Sequence, residues 1–386
     1  MQSKRLIIGI TGIRSEYDIM SSVYKAIKNH NDLDLQLIVT GAHLTEEFGL
    51  TLEQIKEDGF EIADQIPSLL SGGDLSLRVK GLAIQLQSII QTVTRLNPDF
   101  LIVLGDREES MTAALIGAYM NIPVAHIAGG DKSRTVDDQI RHAVTKLSHI
   151  HFVTNEDSAK RILNLGEELF RIFNVGNPGL DRFISTPYLS KKEILKSLNL
   201  NWEDNKPYLM VIQHPISSEI ENTSNQIRET LEAIKELEMH AIWIYPNSDP
   251  GSGKIIDTFN EYKNLEYLHF HKNIPRNIFV NLLRNCSCLI GNSSAGILEA
   301  PSINLPVVNI GIRQEGRLHS ENVLFVDHNK FEIINAIKKT LTDEDYIAKV
   351  KGCSNPYGEG KSSVKIAKIL SEIDINQKLL IKELTF

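Results

Sequence analysis

Several things are scarce in this sequence, and each scarcity excludes something. Three cysteines among 386 residues, Cys286, Cys288 and Cys353, form neither a metal-binding spacing nor a disulfide framework, which suits a reducing cytoplasm. Long apolar runs are missing: the run at 6–10 is too short for a signal peptide or a membrane span. Positive charge is in deficit, with 41 Lys and Arg against 49 Asp and Glu, a net charge of −8 and a pI near 5.9. That balance argues against nucleic acid or an anionic membrane as the main partner. No low-complexity tract or internal repeat stands out. Two common phosphate-binding signatures are absent as well. The first apolar run leads into Gly12-Ile13-Arg14-Ser15-Glu16-Tyr17-Asp18, which is not G-x-G-x-x-G. The stretch Gly251-Ser252-Gly253-Lys254 lacks the earlier glycine of a P-loop and continues with Ile255 where Ser or Thr is needed.

What is present is a soluble globular composition, 42% hydrophobic and 23% charged, in a chain long enough for two domains. Apolar runs at 5–11, 34–40, 100–105, 122–127 and 150–154 predict strands, with helical patterns at 17–29, 74–95, 107–119 and 136–148 between them. The alternation resumes with strands at 208–213, 241–245, 265–269, 286–290 and 306–310. Helices at 330–341 and 362–372 follow, and the tail 373–386 is expected to pack as a helix. The pattern is α/β, doubly wound, in two Rossmann-like domains at 1–180 and 181–360. Helices at 361–386 are expected to cross back to the first domain. The boundary is placed within 175–206, where polar and Pro/Gly-rich stretches suit a linker.

In such sheets functional groups gather at the carboxyl ends of the strands. Arg14 stands after the first strand and reads equally as a phosphate ligand or a surface arginine; His43 follows the second. The third end is Gly105-Asp106-Arg107-Glu108. A carboxylate beside an arginine there suits proton transfer or a sugar hydroxyl, although Asp106 also fits a helix N-cap. The next is His126-Ile127-Ala128-Gly129-Gly130-Asp131, leading to a helix with Asp137, Asp138, Arg141, His142 and Thr145 on one arc. Ile140, Ala143, Val144 and Leu147 fill the other arc and are expected to dock on the sheet, leaving the acid–base arc facing away.

In the second half, Gln213-His214-Pro215 and Asn247 end two strands. The densest stretch is 288–317, CLIGNSSAGILEAPSINLPVVNIGIRQEGR. A buried strand breaks at Gly291-Asn292-Ser293-Ser294 and a helix is expected from Ala295, with its unpaired N–H groups and positive dipole end forming an anion site. Glu299 would lie about one and a half turns into that helix, placed to grip a ribose diol. Arg313 and Arg317 supply guanidinium forks suited to phosphate. The serines alone read as helix caps; with Glu299 and the two arginines, a nucleotide-diphosphate site is the better reading.

GDR at 105–107, VDDQIRHAVTKLSHIHF at 136–152, QHP at 213–215, GNSS at 291–294 and GIRQEGR at 311–317 together resemble one family. It is that of the hydrolysing UDP-N-acetylglucosamine 2-epimerases of bacterial sialic and legionaminic acid pathways, which includes the epimerase domain of the animal bifunctional enzyme. The resemblance implies a GT-B-like pair of Rossmann-like domains facing each other across a nucleotide-sugar cleft. It also implies a cytoplasmic enzyme that takes a UDP-sugar and forms a homodimer or homotetramer, with no cofactor, no metal, no nucleic acid and no membrane partner. The implied reaction removes the C2 proton and expels UDP, giving a 2-acetamidoglucal. Water then adds at C1 while a proton returns to C2 on the other face, releasing N-acetylmannosamine. By resemblance, Arg14, Ser293, Ser294 and Arg313 match diphosphate ligands, Glu299 the ribose ligand, and Arg107, His214 and Asn247 other contacts. His43, Asp138, Arg141, Gln314 and Arg317 join this substrate-binding set. Asp106 and Asp137 match acid–base carboxylates, with His214 beside them. Ala128 departs from a glutamate usually assigned to catalysis, and Asp131 or Glu16 is the candidate replacement. The alternatives are a UDP- or GDP-linked N,N'-diacetylbacillosamine substrate, or a non-hydrolysing epimerase or glycosyltransferase of the same fold.

Overall fold

The computed structural model describes residues 4–46, 50–70, 72, 74–132, 137–202, 206–246, 251–272 and 274–386. The chain divides into two compact units, Met1–Arg182 with Tyr357–Phe386, and Phe183–Pro356.

Unit 1 holds β1 (Arg5–Thr11), β2 (Leu33–Thr40), β3 (Ile62–Ile66), β4 (Phe100–Leu104), β5 (Val124–Ile127), β6 (Ile150–Val153) and β7 (Ile172–Asn174). They form one sheet in the order β3-β2-β1-β4-β5-β6-β7, every pair parallel. Parallel strands are covered on both faces, so their side chains feed two apolar layers by alternation. Ile7, Leu37, Phe100, Ile102 and Phe152 pack with Tyr17, Met20 and Tyr24 of the helix Arg14–Lys28 and with Ile366 and Leu370 of the helix Ser362–Glu372. Ile8, Ile10, Ile38, Leu101 and Val103 face Ile89, Val93, Ala113 and Ile116 of the helices Leu75–Leu96 and Glu108–Met120.

The C-terminal segment belongs to this unit because arginines of the unit bind its carbonyls. Arg5 donates to the carbonyls of Leu370 and Ile373, each at 2.8 Å. Arg171, fully buried, donates to those of Lys378, Leu379 and Ile381 at 2.9, 2.6 and 2.8 Å. The Asp181 carboxylate accepts the N–H groups of Ser362 and Ser363 at 3.0 and 2.6 Å. The expected terminal helix is short: only Gln377–Leu380 is helical, because those carbonyls bond to side chains rather than to a following turn.

Unit 2 holds β8 (Tyr208–Ile212), β9 (His240–Ile244), β10 (Leu268–His271), β11 (Cys288–Gly291), β12 (Val307–Ile310) and β13 (Val323–Val326). Their order is β10-β9-β8-β11-β12-β13, again all parallel. Its core joins Leu209, Val211, Trp243, Ile290 and Val308 to Ile227 and Leu231 of the helix Thr223–Leu237 and to Ile333 and Ile337 of the helix Lys330–Thr342.

Each sheet reverses its winding once, between β1 and β4 in unit 1 and between β8 and β11 in unit 2. Ligands of open α/β sheets bind outside the carboxyl ends of the strands at such a switch point. Among the described residues no helix is long and apolar enough to cross a membrane.

Candidate active site

At the switch point of unit 1, carboxylates are packed where few would be expected. Glu16 is 4% exposed and Glu109 is 1% exposed. The Gly12 N–H donates to Glu16 Oε2 at 3.2 Å, and Glu16 Oε1 is buried with no hydrogen-bond partner among the described residues. Glu109 lies over the same glycine, so close that a Cβ on Gly12 would stand 1.6 Å from Glu109 Oε1. Only glycine fits there. Burial pushes both carboxyls above the usual carboxylate range. The charge of Glu109 adds to the effect on Glu16, while Arg107 opposes it at both.

Arg107 is the cation of this cluster. Its Nε lies 3.3 Å from Glu109 Oε2 and its Nη2 3.5 Å from Glu108 Oε2. Glu108 is taken by Arg78, and although burial pushes it up, that hydrogen bond and the two guanidiniums hold it below the usual range. Arg78 also reaches Asp137 Oδ1 at 3.9 Å. A cavity of about 520 Å³ opens on this group. Arg107, Glu108, Glu109, Arg78 and Asp137 line it, along with Leu69, Leu70, Leu77 and Leu82.

Asp106 sits beside this cluster, paired with Arg141. Burial raises its proton affinity, with Arg141 opposing. Arg141 also donates to Asp138 Oδ1 at 2.9 Å and to the Asp131 carbonyl at 2.7 Å. These bonds draw Arg141 of the helix Asp137–Leu147 inward, against the expected orientation of its arc, while Val144 docks in the core as expected. Arg141, Val144 and Thr145 are its buried residues, and Ile140 is 37% exposed. Arg141 is accommodated inside because two carboxylates and a carbonyl receive it, and Thr145 Oγ1 meets His126 Nδ1 at 3.3 Å. His126 also reaches the Gly105 carbonyl at 2.7 Å, and burial drives its pKa down to about 3, so it holds the strand ends as a neutral ring.

Two expected site residues of unit 1, Asp131 and His43, are held by other groups in this geometry. Asp131 does not face the acid cluster: its Oδ1 accepts from Thr154 Oγ1 at 2.7 Å and Ser158 Oγ at 2.6 Å, which fixes the loop to the helix Glu156–Asn164. His43 is fully buried, with Nε2 on Thr11 Oγ1 at 3.0 Å and Nδ1 on Thr51 Oγ1 at 2.5 Å. Burial and Arg107 lower its pKa to about 4, so it braces the strand ends as a neutral ring. Arg14 opens the first helix with its side chain 68% exposed and 4.0 Å from Asp18. Ala128 has φ +59°, a left-handed conformation uncommon for a residue with a Cβ.

Unit 2's switch point is built from amides. The Asn292 side chain spans from β11 to β8, accepting from the His214 N–H at 2.7 Å and donating to the His214 carbonyl at 2.9 Å. Its own carbonyl accepts from Arg313 Nη1 at 3.0 Å and Gln314 Nε2 at 2.9 Å. Gln314 Oε1 in turn accepts from Arg317 Nη1 at 2.9 Å. Gln314 is therefore a buried bridge between the Asn292 carbonyl and Arg317. Gly291, at φ +119°, makes the sharp exit from β11, where a Cβ would lie 2.2 Å from the Ile212 carbonyl.

The helix expected after the serines is a single turn, Ala295–Leu298, followed by a 3-10 turn at Ala300–Ile303. Pro301 interrupts it, and one turn carries little macrodipole. Glu299 therefore stands at the helix end rather than inside it. Burial raises its proton affinity against the charges of Arg276 and Arg317. Ser293 Oγ accepts the Ala295 N–H at 3.3 Å. Asn247 lies outside the described residues.

Sequence reasoning missed Glu109 and Asn292. Glu109 follows Glu108 at a helix start, where acids are expected on dipole grounds alone; the usable signal was the pair of small residues, Gly12 and Gly41, at the neighbouring strand ends. Asn292 was hidden inside a stretch read for its hydroxyls.

Comparison with known proteins places these features. A family model described as UDP-N-acetylglucosamine 2-epimerase matches residues 25–371. A UDP-N,N'-diacetylbacillosamine 2-epimerase (hydrolyzing) of Legionella pneumophila is 35% identical over 98% of both chains. A GDP/UDP-N,N'-diacetylbacillosamine 2-epimerase (hydrolyzing) of Campylobacter jejuni is 34% identical over 86% of both. Among solved structures, the UDP-GlcNAc 2-epimerase of Neisseria meningitidis bound to UDP-GlcNAc superposes with a TM-score of 0.79 at 20% identity, covering 95% of this chain and 99% of that one.

Proposed function

The chain belongs to the UDP-N-acetylglucosamine 2-epimerase family, and from that premise we propose that it is a hydrolysing 2-epimerase acting on UDP-N,N'-diacetylbacillosamine. The observation that carries the choice of sugar is the full-length similarity to two hydrolysing diacetylbacillosamine epimerases, at 35% and 34% identity. UDP-N-acetylglucosamine, the first expectation from the sequence motifs, is the alternative sugar, favoured by the family's own description. GDP is the alternative nucleotide, favoured by the second relative.

In this reading the units divide the work. The Asn292 network of unit 2 holds Arg313 and Arg317 in place, so that guanidiniums and serine hydroxyls meet a diphosphate without reorganising. Glu299 takes the ribose diol. The carboxyls of unit 1 handle the C2 proton, with Asp106 held by Arg141 and Asp137 at the cavity wall. Removing that proton while the C1–O bond to UDP breaks gives the glycal; adding water at C1 and a proton at C2 on the opposite face gives the free 2-epimer.

The test is product identity. The protein is incubated separately with UDP-N,N'-diacetylbacillosamine, its GDP counterpart and UDP-N-acetylglucosamine, and the products are assigned by NMR. Release of UDP with a free 2,4-diacetamido-2,4,6-trideoxymannose, faster than any release from the other two, is the expected outcome. Preferential turnover of UDP-N-acetylglucosamine to N-acetylmannosamine would reassign the sugar. An epimer still attached to its nucleotide would overturn the hydrolysing step.

A further inference from the structure

We propose that Glu109 and Glu16 form a carboxyl pair sharing one proton, and that Glu109 delivers this proton to C2 of the sugar in the hydration step. The inference rests on the 2-epimerase reading above and supplies what Ala128 cannot.

Three observations meet at Gly12. Its N–H bonds to Glu16 Oε2, its bare Cα is covered by Glu109 Oε1, and both carboxyls are almost completely buried. Among the described residues the carboxylates around them outnumber the cations. Arg78, from the preceding helix, is engaged by Glu108, and Arg141 by Asp106 and Asp138. Among the described residues Arg107 is the cation left for both Glu16 and Glu109, and it is shared with Glu108 as well. His43, behind Gly41, is neutral, and the fully buried Tyr24, on the far side of Glu16, adds no positive charge. Two carboxylates that share one cation in a buried site cannot both ionise cheaply, so one proton stays. Glu109 lines the same cavity as Asp137 and Arg107, whereas Glu16 does not; the pair therefore has one member at the wall and one in reserve behind it.

The step balances with no further reagent. Once UDP has left, the C1=C2 π pair of the glycal takes the Glu109 proton and becomes the new C2–H bond. Water's oxygen bonds to C1 as one of its O–H bonds breaks, and that proton passes to the pair. Water has been added across the double bond, and the pair is singly protonated as it began.

Two measurements on the full-length protein test this. The first needs no turnover. In protein carrying ¹³C-labelled glutamate carboxyls, signals assigned by comparison with Glu109→Gln and Glu16→Gln should show one proton retained by the pair at pH 7. Two fully ionised carboxylates there would overturn the proposal. The second supplies the synthetic glycal directly. Either Gln variant should hydrate it about 100- to 10,000-fold more slowly than wild type, the usual worth of positioned acid–base catalysis, while UDP affinity stays unchanged. Hydration at the wild-type rate by either variant overturns the proposal and leaves the 2-epimerase reading standing. Should the Gln variants not fold, Glu109→Asp, which withdraws the carboxyl by one methylene, carries both arms: it supplies the comparison spectrum, and the same kinetic loss is expected of it. If wild type releases no free sugar from any nucleotide sugar, the function is misassigned, and the retained proton alone decides for or against the pair.

Discussion

The two switch points occupy equivalent places in two similar sheets, yet they are built from opposite materials. In unit 1 the buried polar groups include two carboxyls, Glu16 and Glu109, and Glu16 Oε1 has no hydrogen-bond partner among the described residues. In unit 2 they are amides, Gln213, Asn292 and Gln314, each bonded to a neighbour. A buried amide carries no net charge and adds rigidity once its bonds are made. A buried carboxyl pays for its desolvation in proton affinity. The first kind of edge suits holding an anion at fixed geometry; the second suits passing a proton.

Breaking the proton-handling edge should have the largest effect. Asp106→Asn and Asp137→Asn keep the shape and remove the charge, and kcat is expected to fall by about 100- to 10,000-fold. UDP affinity, measured by calorimetry, should stay the same because neither carboxylate is a proposed diphosphate ligand, and Ser293, Ser294, Arg313 and Arg317 lie in the other unit. Near-normal kcat in both variants would remove these residues from the chemistry.

Breaking the anchoring edge should do less, and in the opposite observable. The double change Ser293→Ala with Ser294→Ala is expected to weaken UDP by about 1–3 kcal/mol, the scale of hydrogen bonds to a charged group. The wild-type and variant kcat at saturation should agree within a few-fold. A variant with unchanged UDP affinity but lost turnover would reverse the division of labour.

The smallest effect sharpens the contrast in stability. Because burial raises Glu16, the native state keeps a proton that the unfolded chain releases above the ordinary value of about 4.5. The contribution of this group is therefore fully present below that value and is lost as pH rises through the raised native one. Glu16→Gln, which cannot ionise, should match wild type at pH 4.5 and exceed it at pH 8. The expected gain is about 2–4 °C in Tm, the size of a 1 kcal/mol change in a domain of this length. A Tm difference independent of pH would show Glu16 ionised in the native protein.

Most of the sheet interiors were legible because buried parallel strands are continuous apolar runs, such as Phe100–Leu104 and Tyr208–Ile212. The outer strands Ile62–Ile66 and Ile172–Asn174 escaped, being short and partly polar at the two sheet edges. The helix Lys191–Ser197 was submerged in the 175–206 stretch read as linker, and the helix Glu156–Asn164 was not called. At the site, the strand-end residues Asp106, Arg107, Ser293 and Ser294 could be read from position alone. The inward turn of Arg141 could not, since periodicity treats every arginine as outward and only its pairing with Asp106 makes burial affordable. Glu109 was hidden for the same reason: nothing in a helix-start glutamate reveals that it folds back over a glycine.

The central claim is that this chain breaks and remakes the C2–H bond while severing the sugar from its nucleotide. One proton NMR time course of the preferred nucleotide sugar in D₂O tests both halves at once. The account expects free 2-epimerised sugar bearing one deuteron at C2, appearing in step with UDP. Protium retained at C2, or an epimer still joined to its nucleotide, would contradict it.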